Sequence, residues 1–472
     1  MLGNLNLTSK EEISRYISEK NIKILNLCHI PEDGRLKTLS FAAIDQKRVM
    51  DVLEFGERVD GSSLFSFIDP NKSDIYITPK MHTAFVNPFS TSSAMNILCK
   101  YLDENGNPLD IAPETILAKA EEKLRTSSYV TLKALAELEF YIISEQEPTE
   151  LLFPSTAEKH YHESAPFSRF EAIRHEILTT LASIGITTKY AHGEVGRMAT
   201  KDSAVMEQHE IEPMPQNLTR MAETIAVTKW VIRNTCAKYN VSASFSPKIA
   251  IDHAGNGLHI HLCGLKDGRS IIADFDGSLS VESKKMIGGI LKLASSLTAF
   301  GNAIPISYIR FVSRKESPIH ICWGARNRLA LIRIPLWWSF KQAEGEADEC
   351  RKTFEFRAPD PSANTHFLLA AISVAVRYGL ENAEESLRIA EELHFERKHG
   401  KRLKSLPKSC NESASHLKKE RKYYEAEGIF PKVLIESTIK KLKAYKDKDL
   451  AKKLKEEPRK IEELIQRYLH YG

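Results

Sequence analysis

Three strand-like stretches of this chain each carry ionisable side chains two residues apart. They are Glu137 and Glu139 in "VTLKALAELEFYII" (130–143), His259 and His261 in "IDHAGNGLHIHLCGL" (251–265), and Glu355 and Arg357 in "TFEFRAPDP" (353–361). Residues two apart in an extended strand point the same way, so each pair occupies one face of an otherwise aliphatic and aromatic run. Singly, such a pair is satisfied by water on a half-exposed sheet. Glu194 in "AHGEVG" and Glu207, Glu210 and Glu212 in "EQHEIE" repeat the pattern. Carboxylates projecting together from neighbouring strands repel one another strongly at low effective dielectric, and a divalent cation cancels that cost. Oxygen-rich sets with at most one imidazole per ion suit magnesium or manganese better than zinc. His259 is then a candidate ligand, and His261 is left for a phosphate or substrate.

Arginines supply the opposite charge. "WGARNRLALIRIP" (323–335) places Arg326, Arg328 and Arg333 in one strand-like run, with Arg310 and Arg357 close in sequence. Guanidinium forks grip carboxylates and phosphates at two points. Metal ions on phosphate oxygens together with arginine clamps are the apparatus of phosphoryl transfer. The chain has neither a G-x-x-x-x-G-K-[ST] loop nor a G-x-G-x-x-G loop, so a nucleotide is held by neither glycine-rich cradle.

A length of 472 residues exceeds one ordinary domain, which makes two the expectation. The turn-rich "YLDENGNPLDIAP" puts the boundary near 105, giving an N-terminal domain over 1–104 and a second over 105–472. In the second, strand-like runs (130–143, 257–265, 318–334, 353–358) alternate with helical ones (114–126, 168–184, 217–239, 282–299, 363–380), an α+β mixture. Ser9 and Glu12 form a capping box that opens an N-terminal helix. The last seventy or so residues read as helices with interleaved charge, a solvated face. A net charge of +4 is too weak to argue for nucleic acid. No run approaches the ~18 apolar residues of a membrane helix, and "FLLAAISVAV" (367–376) reads as a buried core helix. Seven scattered cysteines without C-x-x-C spacing, and no basic-then-apolar leader pattern, give the expectation of reduced thiols in a cytoplasmic protein.

In order along the chain stand "VDGSS" (59–63), "NKSD" (71–74), "AELEF", "GEV", "QHE", "GNGLHIH", "ARNR" and "FEFRAPDP". This series resembles the glutamine synthetases over roughly residues 15–440. The resemblance implies an N-terminal β-grasp domain, a catalytic domain on a curved antiparallel sheet, and two Mg2+ or Mn2+ ions with ATP in a funnel between subunits. It implies a metal bed of Glu137, Glu139, Glu194, Glu210, His259 and Glu355, one ion on the Glu137–His259–Glu355 side and the other on the Glu139–Glu194–Glu210 side. Gly255, His259, Arg310, Glu316 and Arg357 would hold the amino-acid substrate. His261, Cys263, Arg328, Arg333 and Lys341 would hold ATP, with Arg328 also serving catalysis. Asp60 of a neighbouring subunit would help deprotonate ammonium, Tyr161 would line the ammonium pocket, and Glu316 would close the site against water. The implied reaction joins ammonia to L-glutamate through γ-glutamyl phosphate in a dodecamer of two hexameric rings. A γ-glutamyl-amine or polyamine ligase, and a non-catalytic ring-forming relative, are the alternatives.

Several positions depart from the family pattern. Glu194 and Glu210 are 16 residues apart, about twice the common spacing, so "GRMATKDS" reads as an inserted loop and leaves Glu207 and Glu212 as alternatives to Glu210. Ala254 replaces an expected asparagine, "PKIAIDH" replaces the usual lysine–proline before the glycine turn, and either Arg351 or Lys352 falls near adenine. Lys404 stands where some bacterial enzymes have an adenylylated tyrosine, so control by that modification is not expected.

Overall fold

The computed structural model describes residues 3–144, 156–199, 205–312, 317–337, 350–397 and 403–472. The chain opens with the helix Lys10–Glu19, whose Ser9 cap and Glu12 form the reciprocal capping box. A six-stranded sheet follows, built from β1 (Ile24–His29), β2 (Lys37–Ala42), β3 (Glu57–Asp60), β4 (Asp74–Pro79), β5 (Phe85–Val86) and β6 (Ala94–Leu102). Its order is β2-β1-β6-β4-β3, with β1 and β6 parallel and β5 added to β6. The helices Lys10–Glu19 and Gln46–Phe55 supply Ile13, Ile17, Val49, Val52 and Leu53 to a core with Leu25, Leu27, Ile75, Ile77 and Ile97 of the strands. This is the β-grasp arrangement.

The second sheet has ten strands: β7 (Thr131–Ser144), β8 (Thr188–Ala199), β9 (Val205–Pro213), β10 (Gln216–Asn217), β11 (Ser242–Ser244), β12 (Leu258–Lys266), β13 (Arg269–Ser270), β14 (His320–Ala325), β15 (Ala330–Ile334) and β16 (Phe354–Phe356). The main path runs β14-β15-β16-β12-β7-β9-β8. All its pairings are antiparallel except β14–β15. Alternation decides which side chains face which layer. Leu132, Ala134, Ala136, Leu138, Phe140 and Ile142 of β7, Leu258, Ile260 and Leu262 of β12, and Phe354 and Phe356 of β16 enter the large hydrophobic core. The helices Pro113–Ser128, Leu218–Lys238, Val281–Gly301 and Thr365–Glu381 cover that side. The last of them is buried continuously from Thr365 to Val376, as its apolar run predicts. The other face of the sheet is left to the charged residues.

Two expectations are corrected. Residues 318–334 do not form one strand: β14 and β15 are separated by a turn in which Arg326 takes a left-handed φ of 54° and Arg328 is exposed. Only Arg333 of the three arginines lies on a strand. Nor is "GRMATKDS" wholly a loop, because Gly196–Ala199 continue β8 and pair with β9 as far as Ala199 opposite Val205. Gly196–Ala199 thus lengthen the β8–β9 pairing. Arg197 is anchored there by Glu207 at 3.3 Å and the Phe167 carbonyl at 2.8 Å. C-terminal to residue 403, the helices Cys410–Glu425, Lys432–Ala444, Leu450–Glu456 and Pro458–Arg467 match the helical reading. No helix of the described residues is long and apolar enough to cross a membrane. The seven cysteines are buried and form no disulfide.

Candidate active site: a carboxylate and imidazole bed

Strand register, rather than sequence proximity, assembles the site. His259 stands opposite Glu137 across β12–β7, and Glu139 stands opposite Glu210 across β7–β9. His261 faces Glu355, and Glu355 faces Arg333, across β12–β16–β15. His192 of β8 faces Glu210. A continuous row of ionisable groups therefore crosses six adjacent strands on the face turned away from the helices.

Within the row, Glu137 is held between two imidazoles. His259 Nδ1 lies 2.6 Å from its Oε2, and His261 Nε2 lies 2.8 Å from its Oε1. Arg310 Nη2 donates to His259 Nε2 at 3.2 Å, so the proton of His259 sits on Nδ1, facing Glu137. Arg310 comes from the short helix Pro305–Val312 and also donates to the Ala358 carbonyl at 2.9 Å. Glu355 is gripped from both sides, by Arg333 at 2.9 Å and by Arg357. Glu139 accepts from the Gly257 amide at 2.8 Å and from Gln208 Nε2 at 3.0 Å. A Cβ at Gly257 would collide with His259 and Arg310, which is why a glycine is needed in that turn.

Three subsets of the row have ligand atoms within 4.8 Å of one another: Glu137–His261–Glu355, His192–Glu194–Glu210 and Glu137–Glu210–Glu212. Their electrostatics divide the row into acids that lie beside cationic partners and acids that crowd one another. Burial, and then the charge of Glu194, pushes Glu139 up to about 8. Burial, followed by Glu137, Glu139 and Glu194, pushes Glu210 well above the carboxylate range, and burial with Glu137 raises Glu212. Burial works against Glu137 too, but His261 and His259 outweigh it and hold it well below its usual range. For Glu355, Arg357 and the two histidines outweigh burial and the nearby Glu137. A set of buried acids that can keep their charge only beside cations fits a divalent ion, with hard oxygen donors suited to magnesium or manganese.

The structure brings together Glu137, Glu139, Glu194, Glu210, His259, His261, Arg310, Arg333, Glu355 and Arg357, with half-buried Gly255 alongside through the Gln208 contact at 3.3 Å. Glu207 is on the opposite face, paired with Arg197 and with the amides of Arg169 and Phe170, so of the three alternatives Glu210 and Glu212 belong to the row. Cys263 continues the row along β12, where it is buried with Ser270 at 3.8 Å. Tyr161 stacks on His162 with ring centroids 4.1 Å apart and meets His192 edge-on at 5.4 Å. Asp60 is exposed in the N-terminal sheet and accepts from Ser62 and Ser63, contacts that hold its carboxyl below the usual range. Arg328 is on the exposed turn, away from strand positions. Glu316 and Lys341 lie outside the described residues. Ala254 is buried and tied by its backbone to Tyr141 Oη and Glu158, each at 2.8 Å. Sequence reasoning missed His192 and Gln208. The signal for His192 was present: it precedes Glu194 by two, the same spacing that marked the other pairs.

Fold and site together define a class, an enzyme organised around a carboxylate–imidazole bed on the open face of a curled sheet. Family models agree in both halves: glutamine synthetase, beta-grasp domain, over residues 21–104, and glutamine synthetase, catalytic domain, over 110–464. The chain belongs to the glutamine synthetase family and is an enzyme of that family. A glutamine synthetase of Thermotoga maritima is 32% identical over 92% of this chain and 96% of its own. One of Rhizobium meliloti is 29% identical over 92% of this chain and 95% of its own. The glutamine synthetase of Plasmodium falciparum shares the fold at a TM-score of 0.78 and 22% identity, covering 94% of this chain and 96% of that one.

Proposed function

We propose that this enzyme makes L-glutamine from L-glutamate, ammonia and ATP by way of γ-glutamyl phosphate. The observation that carries the reading is the register itself, which lines up Glu137, His259, His261, Glu355 and Arg333 across neighbouring strands. A carboxylate does not react with ammonia until one oxygen is made a leaving group, and transfer of the terminal phosphoryl of ATP does that. Glu137, Glu355 and His259, whose Nδ1 would have to release its proton, on one side, and Glu139, Glu194 and Glu210 with His192 on the other, would hold two Mg2+ or Mn2+ ions. When bound, such ions offset the phosphate charge that builds in the transition state. Arg310 and Arg357, buried and already braced by backbone and Glu355, would orient the amino-acid carboxylate with little reorganisation. His261 and Arg333 would contact phosphate oxygens, and Cys263, Arg328 and Lys341 would serve the rest of the nucleotide.

Asp60, exposed and held in its charged form by local donors, would act on ammonium in a neighbouring subunit. Tyr161 beside His192 would border the ammonium pocket, and Glu316 would close it. This reading requires self-association with shared sites; two stacked hexamers, the division at 104/105 and a cytoplasmic location are parts of the same proposal. One observation favours an amine ligase as a second reading. The pocket edged by Tyr161, His162, Tyr190 and His192 holds about 500 Å3, more than ammonium needs. A coupled assay of ADP release with glutamate and ammonium, hydroxylamine or putrescine, with the product identified, separates the two. Activity with ammonium and formation of glutamine is expected; turnover only with putrescine overturns the first reading.

A further inference from the structure

The β8–β9 ladder shifts register between Gly193 and Arg197, and Glu194 lies in that bulge. A bulge frees backbone groups from the ladder and lets the strand bend, so the Glu194 carbonyl needs a partner to fix the backbone whose Val195 amide holds the Glu194 carboxylate at 2.9 Å. We infer that His160 is the positioning residue that does so: its imidazole clamps the bulge and thereby aims Glu194 at His192 and Glu210. His160 Nδ1 lies 3.1 Å from the Glu194 carbonyl and 3.1 Å from the Gln208 carbonyl. Carbonyls only accept, so Nδ1 carries a proton, while Nε2 meets Ser168 Oγ at 3.0 Å and the Glu207 carboxylate at 3.4 Å. The ring is 1% exposed.

The backbone around His160 runs along the same edge. The His160 amide donates to the Val195 carbonyl at 3.3 Å and the His162 amide to the Gly193 carbonyl at 2.9 Å. The segment that carries Tyr161 is thus docked on the bulge by the residue that clamps it. Gly193 makes room for the ring, since a Cβ there would lie 2.6 Å from His160 Cε1. An apolar side chain of the same size would fill the space and strand two buried carbonyls. Only a donor at the Nδ1 position satisfies both.

The inference rests on the metal-bed reading, and the test separates the two. Asparagine puts an amide donor where Nδ1 is, whereas glutamine puts it where Nε2 is. Mn2+ is titrated into the full-length wild type, His160→Asn and His160→Gln, with free Mn2+ read by electron paramagnetic resonance and unfolding in EDTA recorded alongside. His160→Gln is expected to weaken one class of Mn2+ site by about 10- to 100-fold and leave the other unchanged, and His160→Asn to stay within about threefold of wild type. A merely structural residue would lower the melting temperature of both variants without splitting the two classes. Gly193→Ala, which crowds the ring while keeping the histidine, is expected to weaken the same class and decides the matter if His160→Gln does not fold. Unchanged Mn2+ binding in His160→Gln or Gly193→Ala, or equal weakening in His160→Asn and His160→Gln, overturns the inference alone. Wild-type protein that binds no Mn2+ overturns the metal bed and this inference with it.

Discussion

Replacing Glu139 by glutamine isolates the cost of packing acids together. Glu139 is buried, with Glu194 as its chief neighbouring charge, and titrates at about 8 in the folded chain. An unfolded glutamate titrates near 4.5. Between those values the folded chain holds a proton that the unfolded chain has released, so stability falls as pH rises. Integrating this one group from pH 6 to pH 8 gives a loss of about 2 kcal/mol. At about 2.1 cal/mol/K per residue, that corresponds to roughly 2 °C in melting temperature for a chain of this size. Glu139→Gln keeps the shape and removes the proton equilibrium, so metal-free variant should lose that part of the pH slope and be the more stable form at pH 8. Urea unfolding of both proteins in EDTA at pH 6, 7 and 8 measures it. A variant whose stability falls with pH as steeply as the wild type would refute the claim that buried like charge strains this face.

Saturating Mn2+ should reverse the same strain: at 100 times its dissociation constant it adds about 2.7 kcal/mol, seen as a rise in melting temperature that EDTA abolishes. No rise would count against a cation in the bed. Arg357→Ala removes one of the two arginines on buried Glu355. A loss of about 3 kcal/mol by urea unfolding is expected, the low end for breaking a buried pair because Arg333 remains; a loss under about 1 kcal/mol would mean that the pair is not felt. Asp60→Asn and Glu355→Gln homo-oligomers should each be nearly inactive, and subunit exchange between them should restore activity if each site draws on two chains. Hybrids as inactive as their parents would place Asp60 outside the site.

The period-two pairs made the strands and their charged face legible, because alternation requires nothing beyond the local chain. Register was not legible. Glu139 meets Glu210, and His261 meets Glu355, across long stretches of sequence, and only the packing of Leu138, Ile211, Leu258 and Phe356 into the helix-covered core fixes which residues face each other. The hairpin extension was misread for a related reason. "GRMATKDS" has loop composition, but buried Arg197 finds Glu207 and Met198 packs beside Met206, so tertiary contacts override local preference. Arg326 and Arg328 were misplaced on a strand because the turn between β14 and β15 carries no proline or glycine within residues 325–329.

Diffraction from crystals soaked in Mn2+ with a non-hydrolysable ATP analogue tests the metal bed most directly, because manganese scatters anomalously. Peaks are expected within bonding distance of Glu137 and Glu355 on one side and of Glu194 and Glu210 on the other. A nucleotide-bound structure whose manganese peaks all lie elsewhere would contradict the account.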